Sequence, residues 1–133
     1  MSPSARNRPR VLVVERNEDM RELVRFALTI TGLDVSEATS GAEVLALLAT
    51  PDPDGAVPNL IVVQLELPDM PGSTLVTKLR ARGAWMPVVI IGRDARQFRS
   101  AMAEMGVIAT FDTPFDIDDF RAEVLGAATL PSR

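Results

Sequence analysis

Short apolar runs recur along this chain and alternate with amphipathic stretches. The runs are predicted to form strands at residues 11–14, 33–37, 60–65, 87–92 and 108–111. Strands that alternate with helices lie parallel and are joined by right-handed crossovers, so helices cover both faces of one sheet. The pattern therefore predicts an α/β fold, a doubly wound (βα)5 parallel sheet.

The amphipathic stretches carry apolar residues at intervals of three and four, the spacing of one buried helix face. The spacing is clearest in residues 20–31, and Gly32 follows, where a helix end favours glycine. Ser40 and Glu43 have the spacing of a capping box and are predicted to open the second helix. Three further helices are predicted at residues 73–82, through residues 98–105, and from a cap at Asp116 through Val124.

Composition limits the chemistry that the chain can perform. Its 133 residues suit one compact domain, predicted at 11–126, with a flexible basic segment at 1–10 and a tail at 127–133. Neither cysteine nor histidine is present, which excludes a disulfide framework, a zinc cluster and thiolate or imidazole catalysis. Residues 11–133 hold 18 acidic side chains and 11 of the 14 basic ones, and this acidic body disfavours nucleic acid. No apolar run reaches the length of a membrane span, so we expect a cytoplasmic protein without membrane insertion.

Residues 59–72 join an apolar run to Gln64 and then to the pattern Leu-x-x-Pro-x-x-x-Gly. Thr113, Pro114 and Phe115 follow the last predicted strand. These segments resemble the receiver domains of two-component signalling, the CheY-like family, in which an aspartate at the Gln64 position accepts a phosphoryl group. The resemblance extends from about Val11 to Gly126 and implies the flavodoxin-like strand order 2-1-3-4-5.

The resemblance places a site at the carboxyl ends of the strands, where this chain departs from the family. Glu15 is kept, but the second acid, the acceptor, the hydroxyl residue and the lysine are replaced by Arg16, Gln64, Gly92 and Thr113. A carboxamide is no nucleophile and is a poor ligand for magnesium, and an arginine adds a fixed charge where the metal needs oxygen atoms. We therefore expect neither phosphorylation nor a bound metal or other cofactor.

A charge count suggests how the pocket compensates for the missing metal. Glu15 and Arg16 cancel, as do the neighbouring Glu66 and Arg93. We hypothesise that Arg16 or Arg93 pairs with one of these two glutamates, so that a guanidinium replaces magnesium.

Two further positions bear on switching. Receivers rotate an aromatic residue on the last strand, and this chain has Thr110 there, while Phe111 points to the opposite face. A fixed conformation is therefore expected. The resemblance also predicts a cis peptide bond before Pro114.

The predicted function is that of a stand-alone, degenerate receiver that binds proteins without phosphorylation and is not an enzyme. Partners, another protein or a second copy of the chain, are expected on the face formed by the fourth helix, the fifth strand and the fifth helix. Its mixed charges suit steering of an association. Two alternatives remain: a receiver that uses Glu66 or Asp69 as acceptor, and a flavodoxin-like ligand-binding protein. The residues assigned to the partner face are Arg96, Arg99, Phe111, Asp112, Asp116 and Asp119.

Overall fold

A computed structural model describes residues 8–49 and 57–129. Its core is one parallel sheet of five strands in the order β2-β1-β3-β4-β5, which confirms the predicted fold class and strand order. Most of the basic segment at 1–10 and the end of the tail at 127–133 lie outside the described residues. The strands are β1 (Arg10–Val14), β2 (Asp34–Ala38), β3 (Leu60–Gln64), β4 (Val88–Gly92) and β5 (Val107–Asp112).

Five α-helices connect or follow the strands, and four of them match the predicted stretches closely. The fourth is shorter than predicted, because the chain forms 3-10 turns at Ala95–Gln97 and Ala103–Met105 on either side of it. Gly106, at φ 81°, ends this region in the left-handed conformation that glycine favours. The helices are α1 (Glu18–Thr29), α2 (Gly41–Ala49), α3 (Gly72–Ala81), α4 (Phe98–Met102) and α5 (Ile117–Ala128).

The sheet has a hydrophobic core on each face, which explains why its strands are apolar without interruption. Leu12 and Val14 of β1 pack on the side of α2, α3 and α4, whereas Val11 and Val13 pack on the side of α1 and α5. All four side chains are at most 2% exposed. Within the described ranges, no helix combines the length and apolar composition that a membrane span requires.

Polar caps begin α1, α2 and α5 at the carboxyl edge of the sheet. Asn17 accepts a backbone hydrogen bond at the start of α1, and Asp116 accepts two at the start of α5. Ser40 Oγ accepts from the N–H of Glu43 at 3.1 Å, as a capping box requires. The Glu43 carboxylate accepts in return from the N–H of Thr39, one residue earlier than the motif predicts.

A buried arginine, Arg80, joins two connections at the opposite edge of the sheet. Its side chain is 6% exposed, and it donates to the carbonyl oxygens of Met105 at 2.6 Å and Ala84 at 2.8 Å. The guanidinium also lies 4.9 Å from the centre of the Trp85 ring. Burial lowers the pKa of Arg80. This contact was not predicted from the sequence, although Arg80 follows Val76 by four residues and so lies on the same buried face of α3.

Candidate functional site

A crevice of about 310 Å³ opens at the carboxyl ends of the strands. Four connections contribute to it, because the loops after β1, β3, β4 and β5 meet at this edge. The structure therefore brings together the site positions that the sequence predicted, with Gly92 immediately beside them at the end of β4. The lining residues are Glu15, Arg16, Asn17, Gln64, Glu66, Arg93 and Thr113.

Glu15 forms the buried floor of this crevice and is 2% exposed. One carboxylate oxygen accepts from Gln64 Nε2 at 2.7 Å, and the other accepts from the N–H of Asn17 at 3.0 Å. Hydrogen bonds to an ionised group are stronger than neutral ones, and a buried charge requires them. The amide of Gln64 therefore serves as a fixed donor to the acid that the family uses to bind metal.

The hypothesis of a guanidinium partner for the pocket acids was wrong. Among the described residues, no carboxylate lies at ion-pair distance from Arg16 or Arg93, and both side chains are exposed. The physical reason is that Glu15 is buried and its oxygens are already engaged by Gln64 and Asn17. A guanidinium would have to give up its own hydration to reach it.

Gln64 and Gly92 fit together sterically. A Cβ atom built on Gly92 would overlap Gln64 Oε1 and would lie 2.8 Å from Leu65 Cβ. Gly92 also has a backbone φ of 147°, a value that residues other than glycine rarely adopt. A hydroxyl residue at this position would press against Leu65 Cβ and would displace Gln64 Oε1, the end of a flexible side chain, from its observed position. The residues at positions 64 and 92 are therefore sterically coupled.

The residues of the crevice do not fit the magnesium ion that the receiver resemblance implies. Magnesium prefers oxygen ligands in a near-octahedral arrangement. Here both oxygens of Glu15 are engaged by internal donors, Gln64 is neutral, and Arg16 is a cation. Across residues 8–49 and 57–129, no group of three potential acidic, cysteine or histidine ligands converges.

The two alternative acceptors lie in different environments. Asp69 does not line the crevice; its carboxylate accepts from the N–H groups of Gly41 at 3.0 Å and Ala42 at 2.8 Å, at the start of α2. These hydrogen bonds, the one from Ala42 first, lower the pKa of Asp69. Glu66 lines the crevice and is exposed. Of the two residues, only Glu66 is therefore near the site.

The positions associated with switching contain no aromatic side chain on the α4 face. Thr110 is half-buried, and Phe111 packs in the core between α1, α5 and the sheet. The Phe111 ring centre lies 5.8 Å from that of Phe115 and 5.4 Å from that of Phe120. The peptide bond between Thr113 and Pro114 is cis, in agreement with the prediction.

The residues assigned to the predicted partner face lie in different environments. Asp112 accepts from the N–H of Arg96 at 2.9 Å and lies 3.3 Å from its guanidinium, so this acid holds the loop after β4. Asp116 caps α5, and Phe111 is half-buried in the core. The most accessible charges that remain are Arg96, whose side chain is 85% exposed, and the exposed Arg99 and Asp119.

The fold, the strand order and the position of the crevice are those of receiver domains. The sequence model of the response regulator receiver domain matches residues 11–125, and the chain belongs to that family. It is thus a receiver domain of bacterial two-component signalling, a family whose members interact with other proteins.

Two relatives are much longer than the segment that they share with this chain. The chain is 33% identical over 121 residues to the sensor histidine kinase TmoS of Ectopseudomonas mendocina, covering 89% of this chain and 12% of that protein. It is 28% identical over 116 residues to the response regulator MprA of Mycolicibacterium vanbaalenii, covering 86% of this chain and 48% of that one. The chain therefore spans less than half of either relative. The non-phosphorylated HemR receiver domain from Leptospira biflexa shares the fold, with a TM-score of 0.81, 24% identity, and 95% and 98% of the two chains covered.

Proposed function

We propose that this receiver domain acts by binding another protein, without accepting a phosphoryl group and without catalysing a reaction. The observation that carries the proposal is the hydrogen bond from Gln64 Nε2 to Glu15 at 2.7 Å. The side chain at the acceptor position is a donor engaged with the chain's own acid, and it offers no nucleophile.

The crevice also differs from the family pattern in the groups that would neutralise the charge developing in phosphoryl transfer. Such transfer depends on positioning and on metal ions and cations that neutralise the developing charge. The position of the family lysine is Thr113, and the sole lysine of the chain, Lys78, lies on α3 and is not among the lining residues. The crevice residues therefore support binding rather than transfer.

A fixed conformation fits the same proposal. A ligand or modification shifts an equilibrium only if it interacts differently with the two states. The hydroxyl position is Gly92, which closely approaches Gln64, and Phe111 is packed in the core away from α4. Binding is then regulated by the abundance of the domain or of its partner.

One residue favours a second candidate function, a receiver with an unusual acceptor. Glu66 is exposed and lines the crevice two residues after Gln64, the position of the acceptor in the family pattern. Its carboxylate has the nucleophilic oxygen that Gln64 lacks.

Intact-mass measurement after incubation with acetyl phosphate and magnesium tests the proposal. A receiver that retains its acceptor aspartate serves as the positive control. We expect no added phosphoryl group on the natural protein or on Glu66→Gln. A phosphoryl adduct on the natural protein that disappears in Glu66→Gln would overturn the proposal and establish the second candidate.

Affinity capture tests the binding surface. Charge reversal at the exposed Arg99 is compared with charge reversal at the exposed Lys78, which lies on α3 outside the predicted face. We expect Arg99→Glu to lose partner proteins that both the natural protein and Lys78→Glu retain, because like charges across an interface are repulsive. Equal recovery in all three samples would exclude this face as the binding surface.

A further inference from the structure

The four charged side chains of the crevice are not equivalent. Glu15 is 2% exposed, and both of its oxygens accept hydrogen bonds from Gln64 and Asn17. Arg16, Arg93 and Glu66 are exposed at the mouth. The accessible part of the crevice therefore holds two guanidinium groups and one carboxylate, although the whole crevice is formally neutral.

The sheet order places these guanidinium groups on opposite sides of the central strand. Arg16 lies in the connection after β1, and Arg93 directly follows β4. Strand β3, which ends at Gln64, pairs with β1 on one side and with β4 on the other. Arg16 and Arg93 thus flank Gln64, and neither has a carboxylate at ion-pair distance among the residues that the structure describes.

This arrangement suits a small tetrahedral oxyanion. The planar fork of a guanidinium matches the oxygen spacing of phosphate, and an ion placed between two such groups gains charge-assisted hydrogen bonds from both sides. The crevice, at about 310 Å³, admits a small ligand of this size. The Thr113 hydroxyl at its edge is a further donor.

We propose that the crevice binds a small phosphate dianion reversibly and without magnesium, between Arg16 and Arg93. The inference rests on the proposed function, since a working acceptor would take the phosphoryl group from its donor and bind it covalently. In this chain the anion stays intact: no bond is formed or broken, and the two guanidinium groups supply the charge that a metal and a lysine supply in the family pattern. The occupancy of the crevice would then follow the concentration of free phosphate or of a small phosphate ester.

Titration of the natural protein with inorganic phosphate, followed by NMR in magnesium-free buffer, tests this inference. Sodium chloride keeps the ionic strength constant, because exposed charges are screened by salt. We expect saturable shifts of the backbone amides and arginine side-chain signals at positions 16 and 93. In Arg16→Gln and Arg93→Gln the affinity should fall by about ten-fold or more, the loss of a hydrogen bond to a charged group.

Arg99→Gln is the matched control, because Arg99 is an exposed arginine outside the crevice. This variant should bind phosphate as the natural protein does. The inference is overturned by the absence of saturable shifts, by unchanged affinity in either crevice variant, or by an equal loss in Arg99→Gln.

A parallel titration with acetyl phosphate, followed by intact-mass measurement after magnesium is added, separates this inference from the function on which it rests. Shifts that match those of inorganic phosphate, with no change in intact mass, support both. A phosphoryl adduct in the mass spectrum refutes the proposed function. If no shifts appear and the mass stays unchanged, the anion site is refuted and the proposed function is not.

Discussion

Gly92→Ala tests whether position 92 is sterically coupled to the side chain of Gln64. The new Cβ atom would overlap Gln64 Oε1, would lie 2.8 Å from Leu65 Cβ, and would sit on a backbone with φ 147°. A residue with a side chain pays about 1–3 kcal/mol to adopt this backbone conformation, and overpacking adds about 1–3 kcal/mol. We therefore expect the free energy of unfolding to fall by about 2–6 kcal/mol, measured by urea denaturation followed by circular dichroism.

Two other glycines separate the contributions to this loss. Gly83 has φ 83° and Gly126 lies in α5, and an added Cβ at either position meets no atom within 4 Å. Gly83→Ala should lose only the backbone contribution, about 1–2 kcal/mol. Gly126→Ala should gain about 0.5–1 kcal/mol, because alanine favours the helix.

The double variant Gln64→Ala with Gly92→Ala measures the contact directly. Removing the Gln64 side chain removes the overlap with its oxygen, so the double variant should be more stable than the sum of the single losses by about 1 kcal/mol or more. Losses that add without coupling, or a Gly92→Ala variant no less stable than Gly83→Ala, would refute the proposed steric fit.

Three further changes give measurable outcomes. Gln64→Leu removes a donor to the buried Glu15 and should cost about 1.5–3 kcal/mol in urea denaturation; an unchanged midpoint would contradict this. Arg80→Met leaves two carbonyl oxygens without a partner and should cost about 2–4 kcal/mol, against no more than about 0.5 kcal/mol for the exposed Arg99→Met. The lowered pKa of Asp69 stabilises the fold above the ordinary pKa of 3.8, and this contribution is lost as the pH falls through the folded-state pKa. The Asp69→Asn variant should therefore lose less stability than the natural protein as the pH falls below 3.8. Equal slopes of stability against pH in the two proteins would contradict this prediction.

Much of the fold was predictable from the sequence because the signals are local. Alternating apolar runs and amphipathic stretches set the order of the elements, and Asp116 marked the start of α5 where the structure has its cap. The length of α4 was not predictable in this way. Its apolar spacing is compatible with both α and 3-10 hydrogen bonding, and the structure uses both between Ala95 and Met105.

At the candidate site, the positions were predictable from the sequence but the contacts between them were not. The resemblance to receiver domains identified the positions Glu15, Gln64 and Gly92, but the charge count paired a pocket acid with an arginine. Charge alone favours that pairing, whereas the partner is decided by burial and by which donor lies within reach. Arg80 was missed for the same reason, since its partners are backbone carbonyl oxygens that no side-chain pattern reveals.

The sequence by itself determined the class of fold, the order of its elements and the glutamine at position 64, where the resemblance to receiver domains implies an aspartate, because these depend on residue identity and on short-range periodicity. Tertiary structure alone decided that Gln64 reaches Glu15, 49 positions away in the chain, and that Arg16 and Arg93 stay exposed on either side of it. The physical reason is that hydrogen bonds and burial depend on distances between strands, and parallel pairing sets those distances only after the sheet has formed.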